Sequence, residues 1–152
     1  MKRSTTIEII VFLYAVLFLY TGISELMEYG TFREQLAESP VLAPVASLIA
    51  VILPFAEFLV ALLLIVPRWR LKGFYAALGM MISFAIYIIA LLSFSDNLPC
   101  SCGGVIALLS WPQHILFIGL FIVLAIAAIW LQKRQKRDQQ KTWNSITKKY
   151  SI

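Results

Sequence analysis

Four long apolar segments dominate this sequence and restrict what it can fold into. They cover residues 7–27, 45–66, 74–94 and about 111–131, and they contain almost no charged side chains. A helix of about 20 residues spans about 30 Å, which matches the hydrocarbon core of a bilayer. The chain is 61% hydrophobic and 14% charged, so it has too few polar residues to cover such helices in water. The pattern predicts an all-α integral membrane four-helix bundle.

The Lys and Arg residues indicate how this bundle is oriented. Twelve of the thirteen fall before residue 7, between residues 67 and 73, or after residue 131. Because positive residues are retained in the cytoplasm, both termini are predicted to be cytoplasmic, and the connections 28–44 and 95–110 face outward. The first segment is longer than a signal-peptide core and lacks a small-x-small motif after it, so we expect it to be retained.

The apolar segments and the distribution of basic residues predict a bacterial inner-membrane protein with two parts. Residues 1–131 form the membrane domain, and residues 132–152 form a basic cytoplasmic tail. The net charge of +5 follows from the sorting of basic residues to one side. Anionic lipid is therefore the expected partner of the tail, and nucleic acid is not.

Cys100 and Cys102 are the only cysteines, and both lie in the outward connection 95–110. That compartment is oxidising, so a disulfide can form and persist there. Two cysteines separated by one residue can bridge only across a tight turn, which Gly103 and Gly104 permit. A strained, exposed disulfide is suited to exchange, whereas a ring this small constrains the unfolded chain very little. We interpret the two cysteines as a redox pair, with an inert pair and a metal site as the alternatives.

His114 is the only histidine and is predicted to lie in the first turn of the fourth helix. A helix N-terminus or a protonated histidine lowers the pKa of a nearby thiol, so His114 is a candidate catalytic partner of the cysteines. The alternative is an interfacial polar residue. Two thiols and one histidine make an incomplete tetrahedral set, so no metal site is predicted.

Glu25 and Glu57 are carboxyl residues inside predicted membrane helices. Such residues are energetically expensive in lipid and usually face the bundle interior, so both are candidate binding residues. Glu57 follows Pro54 by three residues. It is interpreted either as a protonated acid bonded to a backbone group freed by Pro54 or as part of a quinone or proton pocket. Glu8 is expected at the cytoplasmic interface.

Four stretches of the chain have a pattern shared with a known family, namely residues 21–26 (TGISEL), 39–44 (SPVLAP), 53–58 (LPFAEF) and 100–104 (CSCGG), the last before Trp-Pro-Gln-His at 111–114. In these stretches the chain resembles the DoxX-like and MauE-type redox-associated membrane proteins. The resemblance implies a four-helix bundle of the bacterial inner membrane that handles thiols and disulfides, and MauE-type proteins serve methylamine utilisation.

Bundles similar in outline pass electrons between a cysteine pair and a quinone, which makes quinone the candidate cofactor. This chain departs from them because it has Cys-x-Cys rather than Cys-x-x-Cys and no second cysteine pair.

Two functional hypotheses follow. In the first, Cys100 and Cys102 exchange with thiols or disulfides of a periplasmic partner protein and so support its oxidation or maturation, as a thiol-disulfide oxidoreductase would. In the second, the protein is a non-catalytic membrane subunit that docks a partner or other membrane subunits through the 28–44 connection, and the cysteines are incidental. The sequence leaves open whether the protein is an enzyme.

Overall fold

The computed structural model describes residues 2–39, 42–94 and 111–150, and this part of the chain is helical without a strand. Four of its helices are long and apolar enough to cross a membrane, which confirms the predicted all-α four-helix membrane bundle. They are α1, α3, α4 and α5, while α2 is shorter and a 3₁₀ turn at Ala43–Val45 precedes α3. The helices are α1 at Lys2–Met27, α2 at Tyr29–Glu38, α3 at Ala46–Ile65, α4 at Arg70–Phe94 and α5 at Trp111–Tyr150.

The helices depart from the apolar segments mainly at their polar ends. α4 begins at Arg70, four residues before its apolar segment, and α5 continues for 40 residues to Tyr150. Lys, Arg and Gln are good helix formers, so the basic stretch after residue 131 extends α5. The predicted tail is therefore helical over residues 132–150. The predicted outward connection 28–44 contains α2.

The four long helices form a closed ring. α1 packs on α3, α3 on α4, α4 on α5, and α5 returns to α1, while α2 packs on the outside of α3. Small buried residues lie where helices approach, as is usual for helix contacts in membranes. Large apolar side chains such as Phe12, Phe55 and Leu116 point outward, toward the region that lipid would fill. The buried alanines are Ala15, Ala46, Ala50, Ala61, Ala77, Ala125 and Ala128.

Side-chain contacts show which helix ends lie together. Arg70, at the start of α4, binds Glu8 near the start of α1. Lys133, just past the middle of the 40-residue α5, lies over the ring of Tyr75 in α4. α1 and α4 therefore run in the same direction, and α3 and α5 run opposite to them. We call the end with Arg70 and Lys133 the basic end.

The opposite end of the bundle contains the end of α1 at Met27, the start of α3 at Ala46, the end of α4 at Phe94 and the start of α5 at Trp111. Because the connection between α4 and α5 starts and finishes there, we call it the loop end. This arrangement positions the candidate functional residues of α1, α3 and α5.

Candidate functional site

The two cysteines predicted to carry the chemistry, Cys100 and Cys102, lie outside the described residues. The helix ends on either side of them, at Phe94 and Trp111, both lie at the loop end. The predicted site residues within the described part of the chain are Glu25, Glu57 and His114. All three have buried side chains. Glu25 and His114 lie near the helix ends at the loop end, and Glu57 lies in the middle of α3, beside Thr21 in the last two turns of α1.

Among the acidic residues that the structure describes, Glu57 is the most deeply buried, with only 2% of its surface exposed. It lies in the middle of α3, three residues after Pro54, which is also buried. Its Oε2 atom is 2.8 Å from the Thr21 hydroxyl of α1. The hydrogen-bonding partner of Glu57 is thus a side chain of the neighbouring helix.

Glu25 is the second buried carboxyl residue and lies on the same face of α1 as Thr21, because the two are four residues apart. It is 9% exposed, and its Oε2 atom has no hydrogen-bond partner among the described residues. Thr21 contacts Glu57 and lies one helical turn before Glu25, so the face of α1 that carries Glu25 is turned toward Glu57. The α1 and α3 helices therefore bring two carboxyl groups together inside the membrane-spanning part of the protein.

Gly22 allows α1 and α3 to approach closely beside this pair. A Cβ atom at residue 22 would lie 3.2 Å from Glu57 Oε2 and 2.9 Å from Cε1 of the Phe58 ring. The glycine therefore leaves room for the Glu57 side chain to reach Thr21. A larger residue would require the Phe58 ring to move.

His114 lies near the start of α5 and is 6% exposed. Its depth follows from the contact between Tyr14 and Phe121, in which the Tyr14 hydroxyl donates a hydrogen bond to the Phe121 carbonyl. Thr21 lies seven residues from Tyr14 toward the loop end of α1, and His114 lies seven residues from Phe121 toward the loop end of α5. Because seven residues of helix rise by about 10 Å, both residues lie about 10 Å from the Tyr14–Phe121 contact. His114 thus lies at a depth similar to that of Thr21.

Metal binding finds no support in the described residues, because no three His, Cys, Asp or Glu side chains there are grouped closely enough to hold an ion. Glu25 and Glu57 can bind and exchange protons, or form hydrogen bonds with a ligand, because carboxylates accept hydrogen bonds and carboxylic acids can also donate them.

The sequence did not predict that Thr21 and Gly22 are site residues. The available signal was the spacing of Thr21 and Glu25, which places a hydroxyl and a carboxyl group on one face of an apolar helix. The sequence did not indicate that Glu57, which is 36 residues from Thr21, meets that face.

The fold and the site define a class of protein: a multi-pass, all-α membrane protein with ionisable side chains buried between its helices. The model of the family described as methylamine utilisation protein MauE matches residues 3–131, and the chain belongs to this family. The predicted resemblance is thereby confirmed. The match includes the connection with both cysteines and ends where the basic extension of α5 begins. Neither the curated proteins nor the solved structures contain a match to the chain.

Proposed function

We propose that this protein is an inner-membrane thiol-disulfide exchange protein of the MauE type, and that Cys100 and Cys102 exchange with periplasmic partner proteins. The observation that carries the proposal is the family match over residues 3–131, which includes both cysteines. The proposed role is to support the oxidation or maturation of those partners.

The placement of the flanking helix ends supports this function. The connection with the cysteines leaves α4 at Phe94 and enters α5 at Trp111, at the end of the bundle opposite Arg70 and Lys133. If the basic end faces the cytoplasm, as the distribution of Lys and Arg favours, the cysteines face the periplasm. Disulfides persist in that compartment.

The proposed exchange proceeds through a mixed disulfide. A thiolate of the partner attacks one sulfur of the Cys100–Cys102 disulfide, and the other sulfur leaves as a thiolate. A second partner thiol then attacks the mixed disulfide, which leaves the partner oxidised and the cysteine pair reduced by two electrons and two protons. A quinone or a second thiol-disulfide protein must then reoxidise the pair, because the chain has no further cysteines.

The test combines redox state with sidedness. In intact cells, a membrane-impermeant reductant followed by a thiol-specific alkylating reagent is expected to label Cys100 and Cys102. Purified protein with the oxidised pair is expected to oxidise a dithiol peptide, and the variant with Cys100→Ser and Cys102→Ser should lose this activity. Ser101→Ala is the matched control, since it changes the residue between the cysteines and keeps both thiols. Unchanged peptide oxidation in the double variant would refute the proposal.

The second candidate is a non-catalytic docking subunit, and α2 is the observation that favours it. This helix buries Phe32 and Leu36 against α3 and presents the charged residues Arg33, Glu34 and Glu38 outward. A partner that binds to α2 should still bind the variant in which both cysteines are replaced by serine. Copurification of a complex with the double Ser variant, lost on reversal of the α2 charges, would favour docking over exchange.

A further inference from the structure

We propose that Glu57, Thr21 and Glu25 form a proton-binding site between α1 and α3, in which Glu57 is protonated in the resting protein and Glu25 is its exchange partner toward the loop end. The ligand of this site is the proton. The inference does not depend on the chemistry of the cysteines, and it rests on the burial, hydrogen bonds and charges of the described residues.

Glu57 has no counter-charge among the residues that the structure describes. Its hydrogen-bonding partner, Thr21, is neutral, and the ionisable side chain one turn beyond Thr21 on the same face of α1 is another carboxyl group, Glu25. Two ionised carboxylates here would be buried side by side, and an unpaired buried ion has a desolvation penalty of several kcal/mol. A carboxyl pair in such surroundings holds a proton because both members do not ionise together.

The described titratable groups on the other helices do not provide a counter-charge for Glu57. His114 of α5 is buried, and it is not among the groups that interact with Glu57. On α2, Arg33 is exposed, and at the basic end Arg70 is bound to Glu8. After its first turn, α4 has tyrosines as its titratable side chains, namely Tyr75 and Tyr87.

The Thr21 hydroxyl has three acceptors within hydrogen-bonding distance but only one hydrogen to donate. Its Oγ1 atom is 2.8 Å from Glu57 Oε2, 3.0 Å from the Leu17 carbonyl oxygen and 3.3 Å from the Phe18 carbonyl oxygen. A hydroxyl has one hydrogen and can also accept. If Thr21 donates to a carbonyl of its own helix, the short contact to Glu57 requires that Glu57 donates, so that Glu57 is the protonated acid. If Glu57 loses its proton, the Thr21 hydroxyl rotates and donates to the carboxylate.

Glu25 has an unpartnered oxygen. This side chain is more than nine-tenths buried, and its Oε2 atom has no partner among the residues that the structure describes. Because most buried polar atoms are hydrogen-bonded, this oxygen is a suitable acceptor for the proton. Glu25 is also two residues from the end of α1 at Met27. A proton released by Glu57 to Glu25 leaves one carboxylate and one acid in the pair and reaches the loop end of the bundle.

The test uses infrared spectroscopy on the full-length protein in lipid bilayers. At pH 7 we expect a C=O stretching band of a protonated carboxylic acid that shifts in D₂O. Glu57→Gln should abolish this band, and Glu8→Gln, which changes an exposed carboxylate, should leave it unchanged. Absence of the band in the wild-type protein, or its persistence in Glu57→Gln, would overturn the proposal.

Thr21 variants keep the test decisive if Glu57→Gln fails to fold. Thr21→Val removes the hydroxyl and should shift the C=O band, whereas Thr21→Ser keeps the hydroxyl and should leave the band in place. An identical band in Thr21→Val and wild type would show that the hydroxyl does not bind the acid. The double Ser variant of the cysteines should retain the band, so failure of the exchange function and failure of the proton site are distinguishable.

Discussion

The two ends of the bundle differ in the burial and the partners of their acidic residues. At the basic end, Glu8 is 56% exposed and receives two hydrogen bonds from Arg70, at 2.7 and 3.2 Å. Toward the loop end, Glu57 is buried and has a neutral hydroxyl as its hydrogen-bonding partner. The first arrangement joins helices by an ion pair, whereas the second keeps a carboxyl group buried between helices without a cationic partner among the described residues.

Stability explains the ion pair at the basic end but not the carboxyl groups toward the loop end. Arg70 joins three helices, because its Nε also donates to the Leu64 carbonyl at the end of α3. Buried polar atoms without a partner among the described residues occur toward both ends, namely Glu25 Oε2, Ser39 Oγ and, beside Lys133, Gln132 Oε1. Ionisable residues inside a membrane protein are usually retained for function. The difference between the ends is therefore in their carboxyl groups: Glu8 has a structural role, whereas Glu57 and Glu25 are candidates for proton binding.

The largest expected effect is at the basic end, with Gly73→Ala. A Cβ atom at residue 73 would lie 2.8 Å from the Leu64 backbone nitrogen and 2.9 Å from the Leu63 carbonyl carbon. Backbone atoms cannot move aside as a side chain can, so α3 and α4 must separate, with a loss of about 3 kcal/mol in the free energy of unfolding.

Gly79→Ala in the same helix is the matched control, because nothing lies within 4 Å of a Cβ atom at that position. It should be neutral or stabilise the protein by up to about 1 kcal/mol, as alanine favours a helix over glycine. Unfolding in detergent micelles measures both variants. Equal effects at the two glycines would remove the structural role assigned to the basic end.

The next effect is expected toward the loop end, with Thr21→Val. The substitution nearly conserves volume but removes the hydrogen-bonding partner of Glu57, and an unsatisfied buried group costs about 2 kcal/mol. Thr142→Val is the control, since the Thr142 hydroxyl donates to the Asp138 carbonyl on the exposed part of α5. A change within about 0.5 kcal/mol is expected there. If both threonine variants unfold at the same denaturant concentration, the Thr21 contact does not support Glu57.

A smaller effect is expected between the two ends, with Tyr14→Phe. Tyr14 is fully buried, and its hydroxyl donates to the Phe121 carbonyl, so that α1 is bound to α5. Loss of one such bond between membrane helices should destabilise the protein by about 1 kcal/mol. Tyr75→Phe, at an exposed ring beneath Lys133, should have little effect. A larger loss at Tyr75 than at Tyr14 would contradict the assignment of the interior contact.

The helices could be predicted because their signal is local. A run of about 20 apolar residues identifies a membrane helix without reference to the rest of the chain. The same reasoning identified Glu25 and Glu57 as unusual, since a carboxyl residue within such a run has to be buried in protein. The extension of α5 beyond residue 131 was less evident, because it depends on the helix propensity of a polar stretch rather than on apolar length.

The pairing of side chains could not be predicted, because it depends on which helix faces meet. Thr21 and Glu57 are 36 residues apart, and Glu8 and Arg70 are 62 residues apart. The sequence placed Glu8 and Arg70 on the same side of the membrane but did not pair them; they meet because the starts of α1 and α4 lie at the same end of the bundle. The redox role of Cys100 and Cys102 stays a prediction, since both cysteines lie outside the described residues.

The smallest effect should follow Glu8→Gln, which sharpens the comparison of the two ends. The amide oxygen of Gln can still accept one hydrogen bond from Arg70, and Arg70 keeps its bond to the Leu64 carbonyl. Because Glu8 is more than half exposed, loss of its charge should cost only about 0.5 kcal/mol, and the difference should shrink in high salt. Glu34→Gln, at an exposed position of α2, is the control without an expected change. A salt-insensitive loss at Glu8 as large as that for Thr21→Val would mean that both ends rely equally on buried carboxyl contacts.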